Sequence, residues 1–439
     1  MKKRILILAL FIASFSFAQD KQWTLQECVN YAVENNISVK QAQLNAQTNE
    51  QNIKSAKGQF LPSVSASASH NVNIGSQEIY TNNFVDQTNH STNLGVSVSQ
   101  SIFNGFRNTL LHKQSLLSLE SSNIELDRIR DDISLNVVNS YLNILFNIEN
   151  LAVAQSQYAF SEKQLGQVKE LVDAGVQPKG NLLDVEATLA NDEQRVIAAE
   201  NSLMLAKLTL SQLLQLPSDT FEVKAVEVGT PSNQLLYENS ASVYNVAVAN
   251  RSEIKSAEKN IEISKISTDV SKSGYLPSLS ASYSYSTGAR YSSLTDTELS
   301  MFNQFENNLG HRLGLSLNIP IFSRFQNKTS VAKSKIQEEN AQLNLEQAKL
   351  NLQSNIERAF TDARAALKTY TASKKSLESQ ELAFNNAQER FNIGVMNSFD
   401  LDQARNRLVN AEASLINAKY DFVFKTKVLD FYAGKSLVD

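Results

Sequence analysis

The chain has 439 residues and a net charge of −4, with 41 Lys and Arg against 45 Asp and Glu, so it offers no basic footprint for nucleic acid. Its one cysteine, Cys28, excludes an internal disulfide and a cysteine-built zinc site. Only 14 Gly and 6 Pro interrupt it, which leaves most of the chain free to form long helices.

Met1-Lys2-Lys3-Arg4 is a basic leader, Ile5 to Phe17 a short apolar run, and Ser16-Phe17-Ala18 a small-residue cleavage site, so residues 1–18 are expected to be a signal peptide. No later stretch approaches the roughly 18 apolar residues of a membrane helix. A membrane-embedded mature chain would therefore need a β-barrel.

The rest is internally duplicated. Lys57-Gly58-Gln59-Phe60-Leu61-Pro62-Ser63-Val64-Ser65-Ala66-Ser67 returns 215 residues later as Lys272-Ser273-Gly274-Tyr275-Leu276-Pro277-Ser278-Leu279-Ser280-Ala281-Ser282. Leu94-Gly95-Val96-Ser97-Val98 and Gly175-Val176 return 219 residues later as Leu313-Gly314-Leu315-Ser316-Leu317 and Gly394-Val395. This predicts a first repeat over 19–214, a linker over 215–240 holding Pro217, Gly229 and Pro231, and a second repeat over 241–439.

Each repeat carries two stretches of strict alternation. Strands are expected at about 63–74 and 93–103, then 278–288 and 309–321, with outer loops 75–91 and 289–308. Pro62 and Pro277 stop helices directly before the strands. Val64, Ala66 and Ala68 against Ser65, Ser67 and Ser69, and Leu313, Leu315 and Leu317 against Gly314, Ser316 and Asn318, give one apolar and one small polar face. A soluble antiparallel sheet with one wet face has the same alternation. The secretion signal and the small, uncharged polar face favour lipid on one side and water on the other. Four strands cannot close a barrel, for which about eight is the practical minimum, so several chains must contribute to one.

Long helices are expected at about 105–174 and 324–392, each near 100 Å at roughly 1.5 Å per residue. They turn at 174–180 and 393–398, where Gly175 and Gly394 supply positive φ, into helices 181–214 and 399–433. Leu401, Ala404, Leu408, Ala411, Leu415, Ala418, Phe422, Leu429 and Tyr432 form a coiled-coil seam with one slot skipped at Lys425. The matching seam Leu182, Val185, Leu189, Val196, Ala199, Leu203, Ala206, Leu210 and Leu213 is interrupted by Asp192. Each repeat is thus a helical hairpin with its turn remote from the strands.

Taken in order and twice over, helix, Leu-Pro-Ser, strand, loop, strand, long helix, Gly-Val turn and helix, the chain resembles the TolC-like outer-membrane efflux and secretion channels along essentially its whole mature length. The resemblance implies a mainly α fold with a membrane β-barrel: a homotrimer whose 12-stranded barrel continues as a 12-helix periplasmic α-barrel. It implies a passive exit duct of a tripartite efflux or type I secretion system, set in outer-membrane lipid, extending into the periplasm, and docking to a periplasmic adaptor (membrane fusion protein) and an energised inner-membrane transporter. The family places adaptor docking at the turns, here Gly175, Val176, Gly394 and Val395.

Acidic rings narrow the family's periplasmic aperture, which points to Asp400 and Asp184, with Asn181 and Gln403 in the alternate slots and Asp402 one position from a second expected acid. Met396 stands where some members carry a latching arginine. A ring of carboxylates favours cations and repels anions; alternatively, Asp400 and Asp184 are acids favourable in a helix's first turn. Phe60, Tyr275, Phe103, Phe322, Phe106 and Phe325 gather at the helix–strand junctions as an interfacial girdle or as core packing. His70, His90, His112 and His311 lack metal-ligand spacing, and no cofactor or catalytic constellation is expected. A secreted coiled-coil structural or adhesive protein also accounts for the signal and the seams, but not for two hairpins of bilayer length with small polar faces.

Overall fold

The structure, a computed structural model, describes residues 22–218, 221–225, 234–294, 299–435 and 437. The signal segment 1–18 and the linker residues Gly229 and Pro231 lie outside the described residues. In chain order the elements are β1 (Gln22–Trp23), α1 (Leu25–Asn35), α2 (Ile37–Gly58), β2 (Ser63–Tyr80), β3 (Asn83–Asn104), α3 (Arg107–Asp173) and α4 (Lys179–Leu214). There follow β4 (Glu222–Val223), α5 (Ser240–Asn250), α6 (Ser252–Lys272), β5 (Ser278–Ser292), α7 (Met301–Asn307), β6 (Gly310–Asn318), α8 (Gln326–Asn392) and α9 (Ser398–Tyr432).

The chain divides into two bodies. One comprises Leu44–Asn123 and Ser256–Glu346 and holds the sheet. Its strands pair antiparallel in the order β2-β3-β5-β6, so β2 and β6 are the edges. Pro62 and Pro277 immediately precede β2 and β5. The rows Ser65↔Ser97↔Ser284 and Ala66↔Val96↔Tyr285 carry the two-faced pattern across strands. Gly105 and Phe106 (φ +65° and +64°) turn β3 into α3; a side chain at Gly105 would strike Ser273 O at 2.7 Å and Leu276 Cβ at 2.8 Å.

In this body three boundaries differ from the expectation. The segment 75–91 is not a loop: the ladder continues through Gln77↔Val85 to a tight turn at Thr81-Asn82, where Asn82 adopts φ +62°. Alternation reports an apolar face, whereas pairing needs only backbone groups, so the hairpin outlasts its pattern. Segment 289–308 likewise holds the end of β5 and the helix α7, capped by Ser300 accepting from Asn303 N. At the other end β6 stops at Asn318, not 321, because Pro320 has no N–H to give the ladder.

The second body comprises Met1–Gln43, Ile124–Lys255 and Gln347–Asp439. Its main core gathers Cys28, Val137, Tyr141, Ile144, Leu210, Leu214 and Phe221. There β1 pairs parallel with β4, and the Tyr141 hydroxyl donates to Lys224 O at 2.6 Å. Along α9 the seam residues Leu401, Ala404, Leu408, Ala411, Ala418, Phe422 and Leu429 are buried. Phe422 stacks on Tyr370 of α8 with ring centroids 6.2 Å apart. The slot skipped at Lys425 is an ion pair to Asp362 of α8, 3.2 Å.

Candidate functional site at the helical hairpin ends

Both hairpin turns have one construction. Gly175 N–H donates to Val172 O at 3.0 Å and Val176 N–H to Leu171 O at 2.9 Å; Gly394 N–H donates to Phe391 O and Val395 N–H to Arg390 O, both at 2.9 Å. This double back-bond closes the last helical turn through a left-handed residue, and both glycines adopt it, at φ +73° and +75°. Val176 and Val395 are left 69% and 64% exposed, beside exposed Ile393 and Phe399. Met396 tucks in against the cluster of Ala387, Leu401 and Ala404, with Phe384 and Phe391.

The helices that leave the turns start differently. Asn397 caps α9 by accepting from Asp400 N at 2.8 Å, which leaves the Asp400 carboxylate exposed in the first turn. Pro178 precedes α4, which begins at Lys179, two residues earlier than expected. Asp184 is therefore in the second turn, and the first-turn account of that acid does not hold. Asp184 and Gln403 are exposed, while Asn181 is half-buried and its Nδ2 donates to Gln177 Oε1 at 3.4 Å. Asp402 is set apart from the other acids. Half-buried, it accepts from Gln164 Nε2 of α3 at 3.3 Å. Burial raises its pKa, and the charges of Asp192 and Asp184 act in the same sense against the Gln164 hydrogen bond and Arg405.

Just behind these residues is a buried ionic anchor that the motifs did not reveal. Arg405 of α9, 2% exposed, donates through Nη1 to Ser161 Oγ of α3 at 2.7 Å and through Nη2 to Asp192 Oδ2 of α4 at 2.5 Å. The Ser161 hydroxyl donates to the same carboxylate oxygen, and Arg195 Nη1 reaches Asp192 Oδ1 at 3.3 Å. The guanidinium lies over the Phe160 ring, 5.3 Å from its centroid, and Phe160 meets Phe384 of α8 edge to face. One charged group thus ties α9 to two other helices. Further along, Lys419 Nζ and Tyr420 OH both donate to Glu149 Oε1 of α3 at 2.8 Å. The one sequence signal of the anchor was Asp192 standing in a seam slot. By the 219-residue offset, Arg405, Asp192 and Ser161 correspond to Glu186, Ala411 and Gln380, so the anchor exists once and breaks the internal symmetry.

The aromatic set belongs to the sheet-bearing body. Phe103 meets Phe106 and Phe322 meets Phe325 edge to face, at 5.2 and 5.9 Å; all six except half-buried Phe103 are exposed. Among the described residues no three His, Cys, Asp or Glu side chains converge as metal ligands would, and no helix is long and apolar enough to cross a membrane.

Known proteins share this organisation. The chain is 20% identical over 434 residues to the outer membrane protein TolC of Vibrio cholerae, covering 96% of this chain and 93% of that one. The crystal structure of VceC, an outer membrane protein of Vibrio cholerae, superposes with a TM-score of 0.74 at 16% identity, covering 94% of this chain and 96% of that one. That of the CmeC outer membrane channel of Campylobacter jejuni gives 0.75 at 18%, covering 94% and 87%. The profile of the outer membrane efflux proteins matches residues 28–215 and 243–434, both copies of the duplication, and the chain belongs to that family of passive outer-membrane channels.

Proposed function

We propose that this outer-membrane efflux channel is a homotrimer in which each chain gives four strands to a shared 12-stranded barrel and its long helices to a periplasmic α-barrel. The duct opens at an aperture around Asp400 and Asp184 and docks by its Gly175-Val176 and Gly394-Val395 turns to a periplasmic adaptor and an energised inner-membrane transporter.

The observation that carries this reading is the sheet. The outer edges of β2 and β6 have no further strand partner among the described residues, and the apolar face is bare, with Leu313 83%, Leu315 75% and Leu317 62% exposed. Unpaired edge groups in lipid cost several kcal/mol each, so a four-stranded sheet in a bilayer requires further copies. The exposed aromatic pairs at the strand–helix junctions support an interfacial girdle. Ile336, Leu343 and Leu350 on α8, exposed in the single chain, support packing of its helices against other copies.

Molar mass in detergent, corrected for bound detergent, tests the assembly. A detergent-dependent trimer is expected. A monomer stable in plain buffer would remove both barrel and duct.

A further inference from the structure

Among the described residues the polar face of the sheet carries two cations and no carboxylate. Arg290 is opposite Ser91 and Arg312 opposite Ser284, in the rows of small polar residues. The two acids of this sheet, Glu78 and Asp86, pair with Phe84 and Ser76 and fall on the other face. Among the described residues neither guanidinium has an ion pair or hydrogen-bond partner.

Around Arg290 this face is hollowed. A recess of about 480 Å³ is lined by Arg290, Asn93, Ser286, Gly288, Asn308 and Gly310. Gly288 keeps it open, since a Cβ there would come within 2.8 Å of Asn93 Oδ1 and 3.2 Å of Thr92 O. Its walls are fixed: Asn308 Nδ2 donates to Gly288 O at 2.6 Å, and Arg290 N–H donates to Gln304 Oε1 at 2.8 Å. The backbone that carries the guanidinium is therefore held from α7, while its charged end has no partner among the described residues.

We propose that this recess is a binding station for small oxyanions, solutes bearing phosphate or carboxylate groups, as they pass along the polar face. The inference rests on the reading above that this face lines the lumen. A guanidinium matches two oxygens of such a group at once, hydroxyl and amide donors can share the remaining lone pairs, and no lining carboxylate competes. Arg312, opposite a residue six positions earlier on β5 and so about 20 Å along the strand at roughly 3.4 Å per residue, extends the positive field down the same face. Further copies repeat both arginines around a common lumen, where field lines concentrate.

The test uses the purified full-length protein and tripolyphosphate as probe. In planar bilayers, tripolyphosphate should block the wild-type current. Arg290→Gln should raise the half-blocking concentration at least tenfold, Arg290→Lys and Arg312→Gln each about threefold. Block of wild-type potency in Arg290→Gln overturns the proposal. Calorimetric titration of the detergent-solubilised protein separates it from the duct reading. Arg290-dependent binding without conductance would sink the duct and leave the site standing. Absence of binding in a conducting wild-type channel would sink the site alone, and absence of both would sink the two together.

Discussion

A buried guanidinium is stable only where geometry answers it, and Arg405 meets both Asp192 and Ser161 within hydrogen-bond distance. Removing one partner leaves the other charge buried and alone, at about 3–5 kcal/mol, whereas apolar replacement of both is often neutral or stabilising. Asp192→Leu should loosen the hairpin ends by that amount, Arg405→Met by less because Asp192 keeps Arg195 and Ser161, and the double variant should recover most of the Asp192→Leu loss. Hydrogen exchange over 155–200 and 400–415 measures this cycle; additive losses would show that the two charges are not coupled. Asp402 gives the same region a pH dependence. Because burial raises its pKa, the folded chain binds a proton more tightly than the unfolded chain does. Stability therefore falls as pH rises from the ordinary Asp value through the raised one. Asp402→Asn, which keeps an acceptor for Gln164, should flatten that dependence and protect the hairpin end better than wild type at pH 7. Equal exchange in the two proteins at both ends of the window would contradict it. The anchor was hard to read because its members come from three separate segments that only tertiary packing unites. Asp192 alone left a trace, as a charge in an apolar series.

Elements were legible to the degree that local physics fixes them. The 67-residue helices followed from the near-absence of Gly and Pro, and the turns from Gly-Val, since only a residue without Cβ enters the left-handed region without strain. The continuation of the β2–β3 hairpin through 75–91 was illegible because its pairing is a backbone property once the apolar face has ended. Pro320 was a legible stop that the apolar rhythm of Leu317, Ile319 and Ile321 masked. The turns invite a direct test. A Cβ at Gly175 or Gly394 would meet nothing within 4 Å, so the whole effect of Ala there is left-handed strain, about 1–2 kcal/mol. Gly394→Ala should therefore fray the hairpin end and increase proteolytic nicking over 390–400, and Gly394→Asn should do so less. Indistinguishable cleavage in the two variants would mean that the turn does not depend on its backbone conformation.

At the scale of the whole molecule, the chain exposes what a self-sufficient fold would cover: an apolar sheet face, two strand edges and rows of leucines on its helices. The duplicated order that made the family readable also explains this incompleteness, because two copies supply four strands and closure needs about eight. Whether the sheet meets lipid can be decided by two adjacent residues of β6 that differ mainly in the face they occupy. Leu315 is opposite Ala281 on the apolar face, and Ser316 is opposite Ser280 on the polar one. An arginine on the lipid face near the bilayer midplane costs about 2–4 kcal/mol per chain, and each further copy repeats the cost; on the lumen face the same charge stays in water. Leu315→Arg should thus deplete the assembled protein from the outer-membrane fraction, while Ser316→Arg should assemble normally and alter only conductance. Fractionation followed by molar mass in detergent reads both. Equal tolerance of the two substitutions would mean that the alternating strands never face lipid, and the shared barrel would have to be abandoned.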